Sequence, residues 1–195
     1  ASLWLVPPAD SALESALQKL ISDTLPAHFA ATEQVPSFAP HLTLTSNLPK
    51  EFSNPQEVLS QITVSSLPEV IFKSVNVGDF FFTRLTLHTE KTASLVALAQ
   101  QCRRKFSEGC TSDREAEAWA QNVFTPHVSL VYSAMPAEDV KADVLEKAVK
   151  DIDAAGVVVG GGVASEMGGW KGGKIVLVQT WKDLSEWKVL AEKAL

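Results

Sequence analysis

The stretch FAPHLTLTS at residues 38–46 is echoed by FTPHVSLVYS at residues 124–133, so Phe-x-Pro-His-apolar-hydroxyl-Leu occurs twice in a chain with only four histidines. The histidines of the two copies, His41 and His127, stand 86 positions apart. On a strand, successive side chains point to opposite faces. His41 and Thr43 then share one face and Leu42 and Leu44 the other, and His127 and Ser129 lie likewise against Val128 and Leu130. Each strand carries an imidazole and a hydroxyl about 6–7 Å apart on one side, with aliphatic residues anchoring the other side in a core. The proline before each histidine has no amide to give to a ladder and restricts the residue before it, which suits the entry to a strand. Phe38 and Phe124 are placed to pack beneath it. Packing accounts for the recurrence of the aliphatic positions. It gives no reason for histidine plus a small hydroxyl to recur on the face away from them.

Outward from this repeat, strands and helices alternate without a linker. SLWLVPP (2–8) is a strand stopped by two prolines. Residues 10–25 form a helix opened by Ser11 with Glu14 three positions on, carrying Leu13, Leu17, Leu20 and Ile21 on one face. Asn54 and Pro55 open a short helix over 54–62. Residues 70–90 read as two strands joined around Gly78-Asp79. Helical spacing runs through 92–106 and 137–150, and 113–121 is a helix or a structured loop. The apolar runs 155–162 and 172–181 are bounded by glycine, and 186–192 reads as a last strand. In each half a Pro-His strand follows a helical stretch and precedes another helix. Two such units argue for a duplicated fold and against a solenoid. The expectation is an α+β chain, a single two-lobed domain over residues 1–195 with one motif per lobe, related by a pseudo-twofold axis that leaves a cleft between corresponding strands.

Composition narrows the function. Hydrophobic residues make up 46% and charged residues 21% of the 195, enough for one core without staples. The net charge of −6 disfavours a partner of long nucleic acid, which would have to be met by many Lys and Arg, but leaves room for a small anion in a local pocket. No window approaches eighteen consecutive apolar residues, and the apolar start at Leu3–Val6 is cut by Pro7 and Pro8. The reading is an intracellular monomer without signal peptide or membrane span. Cys102 and Cys110 read as unpaired thiols in a reducing compartment, with a short disulfide as the alternative. No His-x-x-x-His spacing is present and no histidine stands near the two cysteines, so neither a metal nor a cofactor is expected.

Two imidazoles facing each other across a cleft form an acid–base pair, one taking a proton from a nucleophile and the other giving one to a leaving oxygen. Hydroxyls between them can hydrogen-bond the non-bridging oxygens of a phosphoryl group. His41-Leu42-Thr43-Leu44 and His127-Val128-Ser129-Leu130 resemble the paired His-x-Thr/Ser-x signatures of the two-histidine (2H) phosphoesterases, in particular the cyclic nucleotide phosphodiesterase branch of fungi and plants. The opening Leu-Trp-Leu-Val-Pro-Pro, Tyr132, and the closing GGWKGGKIVLVQTW with a late Trp-Lys-Val-Leu-Ala are similar to that branch, so the likeness spans nearly the whole chain. It implies a bilobal fold of two antiparallel sheets facing across a central cleft with helices outside. It also implies hydrolysis of nucleoside 2′,3′-cyclic phosphates to 2′-phosphates, and in some members of ADP-ribose 1″,2″-cyclic phosphate, a by-product of tRNA splicing. Under it His41 and His127 are general acid and base, Thr43 and Ser129 hold phosphoryl oxygens, and Tyr132 is a further phosphate or substrate contact. His127 activating water and His41 protonating the departing 3′ oxygen is the favoured order, though the pseudo-symmetry makes it reversible. Rival readings are an RNA-end processing member of the same superfamily and a non-catalytic nucleotide-binding module.

The remaining candidates are single residues. His88 lacks a repeated partner and reads as structural or solvent-facing, though alternation lets it border the cleft. His28 lies in an exposed loop. Trp4, Trp119, Trp181 and Trp187 read as packing residues, whereas Trp170, inside GGWKGG, is the candidate for stacking a nucleobase. Lys171 and Lys174 beside it are solvated or attract phosphate, and the glycines at 160–162 form a turn.

Overall fold

The computed structural model describes residues 1–29, 33–161 and 165–195. Eight strands run β1 (Ser2–Val6), β2 (Leu42–Thr45), β3 (Glu69–Asn76), β4 (Leu85–Thr89), β5 (His127–Val131), β6 (Gly169–Lys171), β7 (Lys174–Gln179) and β8 (Lys188–Ala194). They pair antiparallel in the order β6-β3-β4-β5-β2-β1-β7-β8. The α+β class holds. The expectation of two separate facing sheets is corrected to one continuous sheet, because β2 and β5, the two Pro-His strands, bond to each other where Leu42 lies opposite Val128. On either side of that seam stand four strands.

Helices cover one face. They are α1 (Ala12–Lys19), α2 (Pro55–Ser60), α3 (Ala93–Phe106), α4 (Asp113–Asn122), α5 (Ala137–Asp139) and α6 (Leu145–Ala154), the last two joined by a wider turn over Val140–Val144. Their starts follow the capping chemistry of the sequence. Ser11 accepts from the Glu14 amide, Thr92 from that of Leu95, and Ser112 forms a reciprocal capping box with Glu115. Leu13, Leu17, Leu95, Leu98, Val144 and Ile152 from this layer meet Leu3, Leu5, Leu42, Leu44, Val70, Phe72, Leu85, Leu87, Val128, Leu130, Ile175 and Leu177 from the strands in one main core. The other sheet face keeps only a small cluster, Trp4, Val176 and Val178 with Val6 and Trp187 against it.

This open face is concave. Phe82, in the turn Phe81–Thr83 before β4, stacks on Trp187, just before β8, with ring centroids 5.8 Å apart. In a flat sheet β4 and β8 would lie about 24 Å apart at roughly 4.8 Å per strand, so the two halves curl toward one another over the seam. GGWKGG is not a loop. It becomes β6 and the tight passage to β7, where Gly169 lies so close to Val70 that a side chain would strike its carbonyl oxygen. The turn expected at 160–162 lies partly outside the described residues. Cys102 and Cys110 are both free. Among the described residues no helix is long and apolar enough to cross a membrane.

Candidate active site

Both Pro-His strands hold their imidazoles in the same way. His41 Nδ1 lies 2.7 Å from the Ala39 carbonyl and His127 Nδ1 2.8 Å from that of Thr125. A carbonyl only accepts, so each Nδ1 carries the hydrogen and each neutral ring presents its lone pair on Nε2. Both bonds reach back across the proline, whose stiff geometry holds the preceding residue extended. Antiparallel pairing of Leu42 with Val128 sets His41 beside Ser129 and Thr43 beside His127. The aliphatic partners Leu42, Leu44, Val128 and Leu130 enter the main core, which leaves the imidazoles and hydroxyls on the concave face. The sequence reading of these four residues is thus one patch.

His41 is only 4% exposed. Trp4, from the neighbouring β1, stacks flat on it with centroids 3.7 Å apart, and Phe38 meets it edge-on at 5.9 Å. Burial lowers the His41 pKa to about 4, against the Ala39 carbonyl, which favours the charged ring, and helped by repulsion from a charge on His127. Tyr132 lies with its hydroxyl 3.4 Å from His41 Nε2 and stacks on Phe38 at 3.9 Å. Burial raises the phenol pKa, so it stays protonated and donates to that nitrogen.

Strand alternation alone would send Tyr132 into the core with Val128 and Leu130. A bulge reverses it. Thr86 pairs with Ser129 but Leu85 with Val131, so β5 holds one extra residue, Leu130. Leu130 and Val131 are then both fully buried in the core, and Tyr132 returns to the site face.

His127 is half-buried, and burial lowers its pKa, opposed by the Thr125 carbonyl. Its counterpart of Trp4 is missing. In register across β4 stands His88 instead, rings 6.0 Å apart. Burial and a charge on His127 both hold the His88 pKa down. His88 is the site-face residue that a search for repeated motifs undervalues; the signal available was its alternation with Thr86 and Arg84. Ser129 is 5% exposed and donates from Oγ to the Phe82 carbonyl at 2.9 Å. Thr43 remains half-buried.

Trp170 is a correction. It is 5% exposed, meets Phe72 edge-on at 6.1 Å inside the main core, and so sits on the helix side of the sheet, away from both histidines, where it borders a separate pocket with Ala12, Leu13 and Glu166. Aromatic surface at the cleft comes from Trp4, Trp187 and Phe82 instead. His28 is not a bare loop residue either, since its Nε2 lies 2.5 Å from Asp151 on α6. Among the described residues no three His, Cys, Asp or Glu side chains gather as metal ligands.

Two imidazoles that each present Nε2 to the concave face, each with a hydroxyl across the strand pair, form the arrangement the sequence led us to expect of a two-histidine phosphoesterase. A family model described as cyclic phosphodiesterase-like protein matches residues 1–195. A Phaeosphaeria nodorum protein named 2′,3′-cyclic-nucleotide 3′-phosphodiesterase is 39% identical, covering 100% of this chain and 98% of its own. Proteins of the same name from Neurospora crassa and Yarrowia lipolytica are 31% and 30% identical, over 100% and 97% of this chain and 99% and 96% of theirs. The chain belongs to the cyclic phosphodiesterase-like family.

Proposed function

We propose that the protein hydrolyses nucleoside 2′,3′-cyclic phosphates to nucleoside 2′-phosphates. The observation that carries this reading is the meeting of the two motifs at Leu42 and Val128, which puts two imidazoles and two hydroxyls on one patch of the concave face. The names of the relatives point to the same substrate class. In the reaction a water oxygen attacks phosphorus while the bond from phosphorus to O3′ breaks. One Nε2 takes the water proton, the other imidazole delivers a proton to O3′, and the net change is the addition of one water.

Burial argues for His41 as the base and His127 as the acid, the reverse of the order favoured by resemblance. His41 is the ring kept neutral by Trp4 and by the Tyr132 hydroxyl, whereas His127 retains solvent access that lets it hold a proton. Thr43 and Ser129 would bind the non-bridging oxygens, Ser129 by turning its hydroxyl away from the Phe82 carbonyl, and Tyr132 would add a third donor. We infer further that the two four-stranded halves are pseudo-twofold lobes, since the Pro-His strands fall at equivalent places on the two sides of the seam.

The test is to incubate chelator-treated protein with adenosine 2′,3′-cyclic phosphate and with ADP-ribose 1″,2″-cyclic phosphate and to identify the products. Release of the 2′-phosphate is expected. Tight nucleotide binding without turnover, or a 3′-phosphate product, would sink the reading.

A further inference from the structure

Several polar groups outside the histidine pair are already committed. His28 is held by Asp151, Arg84 spends its guanidinium on the carbonyls of Ser133, Gly78 and Asp79, and Glu33 accepts from Ser133, Ala134 and Met135. Cys102 is sealed in the core, its thiol pKa pushed up to about 12. On the site face, β4 and β3 are different. His88 and Thr86 lie opposite His127 and Ser129 on one side and opposite Ser74 and Asn76 on the other, so all four share the concave face. Neither nitrogen of His88 is bonded among the described residues. Asn76 takes the Ser74 hydroxyl on Oδ1 at 2.6 Å, which leaves its amide hydrogens without a partner there.

We propose that His88 and Asn76 form a subsite for the sugar 5′-hydroxyl of the substrate, making His88 a specificity residue of the cleft. The proposal rests on the function above and adds to it where the nucleoside lies. The two walls flanking the histidine pair differ in kind. Toward β1 and β7 the wall is Trp4, Val176, Val178 and Trp187, aromatic and apolar. Toward β4 and β3, past the Phe82 turn that opens β4, it is imidazole, carboxamide and hydroxyls. A nucleoside 2′,3′-cyclic phosphate has the same polarity. Its phosphate spans two adjacent ribose carbons, with the flat base on the carbon to one side and the hydroxymethyl group on the carbon to the other. With phosphorus over the seam and the base on the aromatic wall, the 5′-hydroxyl falls to His88, whose ring lies 6.0 Å from that of His127, a gap one hydroxyl can bridge. The ligand group is a hydroxyl and not a second phosphate, because this wall presents no free cation among the described residues. Arg84 is spent on carbonyls and Lys73 pairs with Glu90 at 3.6 Å. Half-burial keeps His88 neutral, one donor and one acceptor, which suits a hydroxyl.

The experiment compares adenosine 2′,3′-cyclic phosphate with its 5′-deoxy analogue in the wild-type protein, His88→Leu and His88→Gln. Wild type is expected to favour the hydroxyl-bearing substrate about tenfold in kcat/KM, mostly through KM, the scale of one or two neutral hydrogen bonds. His88→Leu brings the two substrates together, and His88→Gln, which keeps a donor and an acceptor, restores part of the preference. A wild type that treats both substrates alike overturns the subsite without any variant being needed. Equal losses on both substrates, falling in kcat, overturn it too, by giving the ring a role in the chemistry or the fold. Turnover of neither substrate by wild type brings down the proposed function, a different failure from the loss of selectivity alone.

Discussion

The two Pro-His strands have the same local sequence and the same Nδ1 contact, yet the rings they hold live in different media. His41 lies under Trp4, against Phe38 and Tyr132, almost shut off from water. His127 has His88 for a neighbour and an open side. Even the phenylalanines that open the two motifs diverge. Phe38 serves the site by stacking on Tyr132, whereas Phe124 packs on Trp119 at the edge of α4. A repeated motif therefore sets the position and tautomer of each ring, and the unrepeated surroundings set its proton affinity. Two equal histidines would make a poor acid–base pair; under the proposed function, two unequal ones divide the work.

The largest effect should come from removing either ring. His41→Ala and His127→Ala are each expected to lower kcat by about 10²–10⁴-fold with circular dichroism unchanged. The pH profile separates them. A base must be unprotonated, so kcat/KM of the wild type should fall on the acid side near pH 4, the pKa of His41. An acid must be protonated, so it should fall on the alkaline side above a His127 pKa that lies below 6.5. The His41 variant should lose the acid limb and the His127 variant the alkaline one; the opposite pattern would exchange the roles.

Trp4→Ala attacks the difference between the rings. It should cost about 3 kcal/mol or more in stability, as truncation of a buried tryptophan does, and let water reach His41. The His41 proton resonances should then titrate closer to 6.5. An unchanged titration would mean that Trp4 is not what keeps the ring neutral.

A comparable figure follows from linkage in the intact protein. The pKa of His41 is lower in the folded chain, about 4, than its ordinary 6.5, so protons favour the unfolded state. The associated stability is complete above pH 6.5 and drains away as pH falls toward 4, reaching on the order of 3 kcal/mol. Urea midpoints at pH 7 and pH 4.5 should move less in His41→Gln than in the wild type. Equal movement would show that other groups carry the acid sensitivity. The smallest change is Tyr132→Phe, which removes one hydrogen bond to Nε2 and should alter kcat/KM about fivefold. A loss near that of the histidine variants would promote the phenol to a proton-transfer role.

The residues at the centre of this site were legible from the pattern alone. Alternation around His41 and His127 fixes which side chains share a face, and the prolines announce where each strand begins. Helix starts at Ser11 and Thr92 were equally open to reading, because caps act within one turn. Tyr132 was reachable only by resemblance, since the bulge at Leu130 is stored in the pairing with β4 and not in β5 itself. Trp170 misled for a related reason. Glycines on both sides suggest a loop, but here they let β6 press against β3 and turn the ring inward.

Taken by itself, the sequence determined the two imidazole–hydroxyl strands, their aliphatic backs and the helices around them, because those patterns repeat every two residues or every turn and need no distant partner. Tertiary structure alone decided that the strands would be neighbours in one curled sheet, that His88 would flank His127, and that Trp4 would seal His41. Those outcomes depend on pairings between segments tens of residues apart, and the burial that separates the two proton affinities exists only once they have formed.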